Sequence, residues 1–313
     1  MKKALWSIAL GIAVYTAMVF LSDLGRVKAA VADLRPEFLP LMLLLPLGNY
    51  FFRFLKWDYF LRRTGIRLST GRSASVFVSG FSMTVSPGKF GELIKSCLLR
   101  DGEGIPISRT SPVVVAERLT DLMSMVLLAC AGIALTGGSR ALPAVAAGVL
   151  FLAACVAGLR SGRFFDRLTA LACRLRPLTK KRESLCTFRS SCACLLDARS
   201  LLVSIPLGMV SWGIEAMVLV AAARSIGAGS LDAGTALLAH SAGTIAGAVS
   251  MIPGGLGLTE ATLDGLLSTR LSIADATTVT ILMRLTTLWF AVALGAAVLA
   301  FTRRRRACAD GRA

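Results

Sequence analysis

Pro87-Gly88-Lys89-Phe90-Gly91-Glu92 and, further along, Pro253-Gly254-Gly255-Leu256-Gly257 with Glu260 close behind are two copies of one pattern, P-G-x-x-G followed by an acid. Their surroundings match as well: Arg118 follows Pro87 by 31 residues and Arg284 follows Pro253 by the same 31, each inside an apolar run. One such motif arises easily by chance, whereas two copies with an arginine at equal distance point to an internal repeat. Upstream, residues 49–65 overlay 211–227 at equal length, which sets Arg53 opposite Glu215.

The runs that flank these motifs belong in a membrane. Of 313 residues 55% are hydrophobic and 17% charged, with a mean hydropathy of +0.70, outside the range of water-soluble domains of this length. Stretches long enough to cross a hydrocarbon core of roughly 30 Å occur at 4–21, 38–61, 109–135, 141–159, 200–222 and 276–301. The formal charge of +17 does not indicate nucleic acid, because the basic residues are interleaved with spans and no aromatic stacking platform surrounds them. It sets orientation instead, since Lys and Arg are retained on the cytoplasmic side. Lys2 and Lys3, then Arg62, Arg63, Arg67 and Arg72, then the basic linker 160–199, then Arg303–Arg306 all fall inside on this count. Both termini are therefore expected in the cytoplasm, with the chain in the cytoplasmic (inner) membrane. A cleaved leader ending near Ala30-Val31-Ala32 is the alternative for the first run, but that site lies some way beyond it, and a retained span is the expectation.

Orientation gives the repeat a sign. The first block, 38–135, starts and ends outside, while the second, 200–301, starts and ends inside, the inverted arrangement of many secondary transporters. Residues 73–86, leading into the first motif, reach only about 21 Å at helical rise, too short to cross, so they are expected to be re-entrant. Residues 233–252 lead into the second. Beyond each Pro-Gly break, 92–100 and 259–270 read as short amphipathic helices. Broken backbone at membrane depth is tolerated only against protein or a watery cavity, so two facing breaks imply a cavity; ordinary hairpins with Pro-Gly turns at the surface are the plainer alternative. The expected fold is an all-α polytopic membrane protein with six spanning helices and two Pro-Gly-broken re-entrant hairpins in an inverted repeat, plus a cytoplasmic tail at 302–313.

Charged groups inside the spans mark the cavity. Glu117, Arg118 and Asp121 share a helix face. Such groups cost about 3 kcal/mol each at mid-depth and persist by pairing or facing water. A plain Arg118–Asp121 lock is one reading; a second arginine at Arg284, read as unpartnered, favours shared use. Arg53, Arg118 and Arg284 against Glu92, Glu117, Asp121, Glu215 and Glu260 leave an excess of two negative charges. That balance suits a headgroup with its own positive charge, zwitterionic or aminoacylated, or else protonated carboxylates. Gly88, Gly91, Gly254, Gly255 and Gly257 let backbone N–H groups approach a phosphate, or simply serve tight turns and packing.

Neither catalysis nor a metal is indicated. His240 is the sole histidine, so no His-based triad or multi-His site is available, and a core histidine with a backbone partner is expected. The eight cysteines fall on the reducing side or within spans, Cys186, Cys192 and Cys194 lack a C-x-x-C spacing, and free thiols open to palmitoylation are expected. No cofactor is implied.

In their order and spacing, Pro87-Gly88-Lys89-Phe90-Gly91-Glu92, Glu117-Arg118-Leu119-Thr120-Asp121, and Pro253-Gly254-Gly255-Leu256-Gly257 with Glu260 resemble the lysylphosphatidylglycerol synthase transmembrane-region, or flippase-like, family, over about residues 5–301. The resemblance implies moving or presenting a lipid across a prokaryotic cytoplasmic membrane. The family's best-known members flip aminoacylated phosphatidylglycerol, and relatives are linked to polyprenyl-phosphate sugar or hopanoid pathways. Lys89 and Lys95 stand where the family often has arginine, and with no aminoacyl-transferase domain after residue 313 the chain is not expected to make the lysyl lipid itself.

Three functions follow as expectations: a translocase holding a phosphate-containing lipid headgroup on Arg118 and Arg284; a non-transporting membrane partner of a glycosyltransferase or lipid-modifying enzyme; and an intramembrane enzyme acting on lipid phosphate, for which no nucleophile–base pair is visible.

Overall fold

The computed structural model describes residues 34–85, 92–137, 182–229 and 231–309, with isolated positions at 32, 143, 146–148, 150, 153, 154 and 157. The expected span at 4–21 with its leader alternative, most of 141–159, most of the linker 160–199, Cys155 and Cys173, and the motif residues Pro87, Gly88, Lys89 and Gly91 lie outside the described residues.

Every regular element among the described residues is helical. The first block holds α1 (Leu39–Arg63), α2 (Thr70–Gly80, extended by a 3-10 turn over Phe81–Met83), α3 (Ile94–Glu103) and α4 (Ile107–Thr136). A connecting helix α5 (Arg182–Leu195) follows. The second block repeats the order with α6 (Ala198–Ser225), α7 (Ala233–Val249), a 3-10 turn over Pro253–Gly255, α8 (Leu258–Leu267), and α9 (Ile273–Arg284), which runs through a π-helical segment (Leu285–Trp289) into α10 (Phe290–Ala309). Four stretches are long and apolar enough to cross a membrane: Pro36–Arg63, Ile107–Thr136, Ala198–Ser225 and Ile273–Arg304. They coincide with four of the six runs read from hydropathy, and the chain is a multi-pass membrane protein.

Local sequence sets the ends. Asp197 caps α6 by accepting the Ser200 N–H at 2.7 Å, and Asp232 caps α7 by accepting that of Thr235 at 2.8 Å, each satisfying an orphan amide of the first turn. At the other end, α4 stops on Gly137, whose φ of 70° is open to glycine at little cost. The short helices expected after the motifs appear as α3 and α8, and neither α2 nor α7 reaches spanning length.

Packing pairs corresponding elements. α1 and α6 lie antiparallel along their length: the Arg35 N–H donates to the Ser225 carbonyl at one end, Asn49 Nδ2 donates to the Ser211 carbonyl at 3.0 Å midway, and Arg63 pairs with Asp197 at the other end. α4 packs antiparallel on α7, Gly132 meeting Gly234 while Met125 and Ile245 line one cavity, and α10 on α2, Gly295 meeting Val78 while Ser75 hydrogen-bonds Thr302, so each outer contact has a counterpart in the other block. Glycines permit both approaches. A Cβ at Gly132 would stand 2.7 Å from the Gly234 carbonyl oxygen, and one at Gly295 would stand 2.8 Å from the Val78 carbonyl oxygen.

Candidate functional site

Charged residues gather where α1, α4 and α6 meet the start of α3. Asp121 is the hub of the first block: Lys56 of α1 pairs with its Oδ1, Trp212 Nε1 of α6 donates to the same oxygen at 3.0 Å, and Arg118 Nη2 lies 3.1 Å from Oδ2. Arg118 also reaches Glu92 Oε2 at 3.0 Å. One turn away, Lys95 Nζ donates to Glu117 Oε2 at 2.6 Å, stands 3.8 Å from Glu92 Oε2, and sits 4.4 Å above the Trp57 ring. Lys56, Lys95, Glu92 and Glu117 are almost wholly buried, whereas the Arg118 side chain keeps 25% of its exposure. Burial without partners would be prohibitive for such groups, and close pairing is what makes it tolerable.

The second block uses one arginine to hold its motif. Arg284 Nε donates to Glu260 Oε1 at 2.7 Å, and its Nη2 donates to the Gly254 carbonyl at 2.7 Å. Glu260 Oε2 in turn accepts the Gly257 N–H at 2.7 Å, a carboxylate cap on α8. The expectation of an unpartnered Arg284 is thus corrected: Glu260 lies on the neighbouring helix at the matching depth, a contact that linear spacing does not display. The motif's amides are likewise engaged by the chain itself, Gly255 N with Ile252 O at 2.9 Å and Leu256 N with Pro253 O at 3.2 Å. Gly254, Gly255 and Gly257 have φ of 65°, 68° and 91°, a backbone path that side chains resist. These glycines fit the turn, with the Gly255 and Gly257 amides bonded within the motif.

Among the described residues, two cavities between the blocks border these charged groups. The outer one, about 210 Å³, is walled by Leu119, Leu122, Met125, Ile245, Ala248 and Ile252, with Arg118 and Asp121 as its charged lining. The inner one, about 80 Å³, is lined by Arg53, Glu215, His240 and Arg284, with Tyr50 and Thr287 among its polar groups. Arg53 and Glu215, overlaid from sequence, thus line one space. The Arg53 guanidinium stacks 4.9 Å from the Trp212 ring centre and 5.4 Å from that of Phe81. The Tyr50 hydroxyl donates to the Thr287 carbonyl at 3.0 Å within the π-helical segment, where the helical ladder is locally rearranged.

The charge count also changes. Lys56 and Lys95 join the three arginines, so five cations face the five carboxylates Glu92, Glu117, Asp121, Glu215 and Glu260, and the negative excess read from sequence disappears. Lys56 was legible as a second cation in the run holding Arg53, and Lys95 lies three residues beyond Glu92. Trp212 gave no such signal: indoles are frequent in apolar spans, and only packing brings this one onto Asp121. His240 is buried and stacks 5.9 Å from Trp212. Cys97, Cys130, Cys192 and Cys194 are free thiols, and burial pushes the Cys192 thiol, on α5, up to about 12.

The family model described as "Lysylphosphatidylglycerol synthase TM region" matches residues 8–295. No curated protein matches the chain significantly.

Proposed function

Because the chain belongs to the lysylphosphatidylglycerol synthase transmembrane-region family, we propose that it is a lipid translocase of the flippase-like kind, moving or presenting a phospholipid or polyprenyl-phosphate-linked lipid across the cytoplasmic membrane. In this reading residues 38–135 and 200–301 form an inverted repeat, the elements entering the Pro-Gly motifs are re-entrant, both termini are cytoplasmic, and the runs at 4–21 and 141–159 complete six spans.

The observation that carries the reading is the outer cavity. A partly exposed arginine, flanked by Glu92 and Asp121, lines an apolar-walled space between α4 and the shorter α7. That is the chemistry of an amphiphile: the guanidinium offers paired donors to a phosphate, and the aliphatic walls suit acyl or prenyl carbon. The neighbouring carboxylates suit a headgroup that also carries a cation. Antiparallel packing of α1 on α6, with α4 on α7 matched by α10 on α2, supports the inverted repeat, and the sub-spanning lengths of α2 and α7 support re-entrance.

The test is leaflet exchange in vesicles of phosphatidylethanolamine and phosphatidylglycerol holding a trace of acyl-labelled fluorescent phosphatidylglycerol, or of labelled polyprenyl phosphate. Wild-type protein is expected to accelerate exchange of at least one probe, and Arg118→Ala to remove most of that acceleration while the protein stays monodisperse. Failure to move any of the probes, together with unchanged cellular lipid sidedness in Arg118→Ala and Arg284→Ala strains, overturns the reading. Stable co-purification of a lipid-modifying enzyme in that case points to the non-transporting partner role.

A further inference from the structure

The outer and inner cavities share two lining residues, Trp212 and Thr244. Thr244 contributes a short side chain, so the large group standing between the two spaces is the Trp212 indole, which is only 6% exposed. Three helices hold it. Asp121 of α4 accepts its Nε1–H at 3.0 Å, Arg53 of α1 stacks on its face at 4.9 Å, and His240 of α7 lies ring to ring at 5.9 Å. On one side of the indole the charges are Arg118 and Asp121; on the other they are Arg284, Arg53 and Glu215.

We propose that Trp212 is the movable partition between a headgroup position on Arg118 and a second position on Arg284, and that its hydrogen bond to Asp121 is the latch that keeps it shut. The proposal rests on the translocase reading for its cargo, and on the shared wall for its geometry. Asp121 already answers to Lys56 and Arg118, so a cationic group entering the outer cavity competes with the indole for a carboxylate whose other partners stay in place. Loss of the latch frees the ring about its side-chain torsions and joins the two cavities. A headgroup has then a continuous polar path, arginine to arginine, between the blocks.

The experiment reads the partition directly. Thr287 lines the inner cavity and is 4% exposed, so Thr287→Cys, in a background with native cysteines replaced by serine, reports entry of a small water-soluble methanethiosulfonate. Thr269→Cys, in an exposed turn, is the control. Trp212→Ala is expected to speed labelling at 287 roughly tenfold or more, and Trp212→Phe, which keeps the ring but has no N–H, to give an intermediate rate, as befits loss of a hydrogen bond to a charged group. Equal labelling at 287 in all three proteins overturns the partition. A parallel rise at 269 overturns it too, since the change is then general loosening. If labelling at 287 responds as expected while wild-type protein moves no lipid probe, the partition stands and the translocase reading falls. If lipid exchange proceeds in the wild type and labelling at 287 ignores Trp212, the translocase reading stands and the partition falls.

Discussion

Asn49 and Ser211 hydrogen-bond to each other where α1 crosses α6, the Asn49 amide donating to the Ser211 carbonyl at 3.0 Å and lying 3.3 Å from its hydroxyl. They are also counterparts, the first residues of the two segments 49–65 and 211–227 that overlay in sequence. In the proposed inverted repeat, the axis relating the two copies passes close to this contact. Arg53 and Glu215, one turn further along each helix, then face a common space from its two sides.

Replacing Asn49 by Leu keeps the bulk and removes the donor at this crossing. The expected loss is about 1 kcal/mol, the ordinary net value of such a bond, read as a lower melting temperature in detergent. Asn49→Asp is expected to cost more, because it sets a carboxylate against a carbonyl oxygen in a buried contact.

Arg284 and Glu260 hold the second motif to α9. Arg284→Ala leaves Glu260 buried and without its cation, a loss of roughly 3–5 kcal/mol, while Arg284→Ala combined with Glu260→Gln is expected to recover part of it. A double-mutant cycle of thermal or chaotrope unfolding measures the coupling. Additive single effects contradict the pairing.

Two glycines separate packing from backbone geometry. Gly295→Ala drives a methyl into the Val78 carbonyl oxygen, 2.8 Å away, and is expected to destabilise the α2–α10 contact by about 1–3 kcal/mol. Gly257→Ala meets no atom within 4 Å, yet its φ of 91° carries a strain cost of order 1–3 kcal/mol. A serine at 295 is expected to fare no better than alanine, and asparagine at 257 is expected to give no relief over alanine, because a φ of 91° with ψ of −60° lies outside the left-handed helical region that asparagine tolerates.

Asp197 gives a pH signature outside the spans. Partial burial works against its ionisation, but the Ser200 N–H and hydroxyl and the Arg63 guanidinium outweigh it and hold the carboxyl below the usual range. A depressed folded-state value means the stabilisation is present above the ordinary carboxylate range near pH ~4 and is lost as pH falls through the folded-state value. Asp197→Ala is expected to cost about 1 kcal/mol at neutral pH, the usual value of an N-cap. The difference from wild type is expected to shrink on acidification below pH ~4, followed by thermal melts across that window. A difference that stays constant with pH refutes the charged cap.

Much of the architecture was legible in the linear chain. The helices at Leu39–Arg63 and Ala198–Ser225 are apolar runs bounded by basic, glycine or capping residues. Arg53, Glu92, Glu117, Arg118, Asp121, Glu215, Glu260 and Arg284 stood out because a charge in an apolar run demands a partner or water. Who partners whom was not visible. The Arg284–Glu260 pair joins residues 24 positions apart on separate helices, and Lys56 meets Asp121 across 65.

Hydropathy and caps are properties of neighbouring residues and of composition, so the sequence alone determined a helical, multi-pass membrane protein and the positions of four of its long apolar helices. Tertiary structure decided the rest: that the lysines at 56 and 95 join the charge cluster, that Glu260 caps Gly257 and pairs with Arg284, and that one indole lines two cavities. Those features depend on how helices distant in the chain pack and rotate against one another, and a side chain's partner at such a junction is fixed by packing rather than by its position in the sequence.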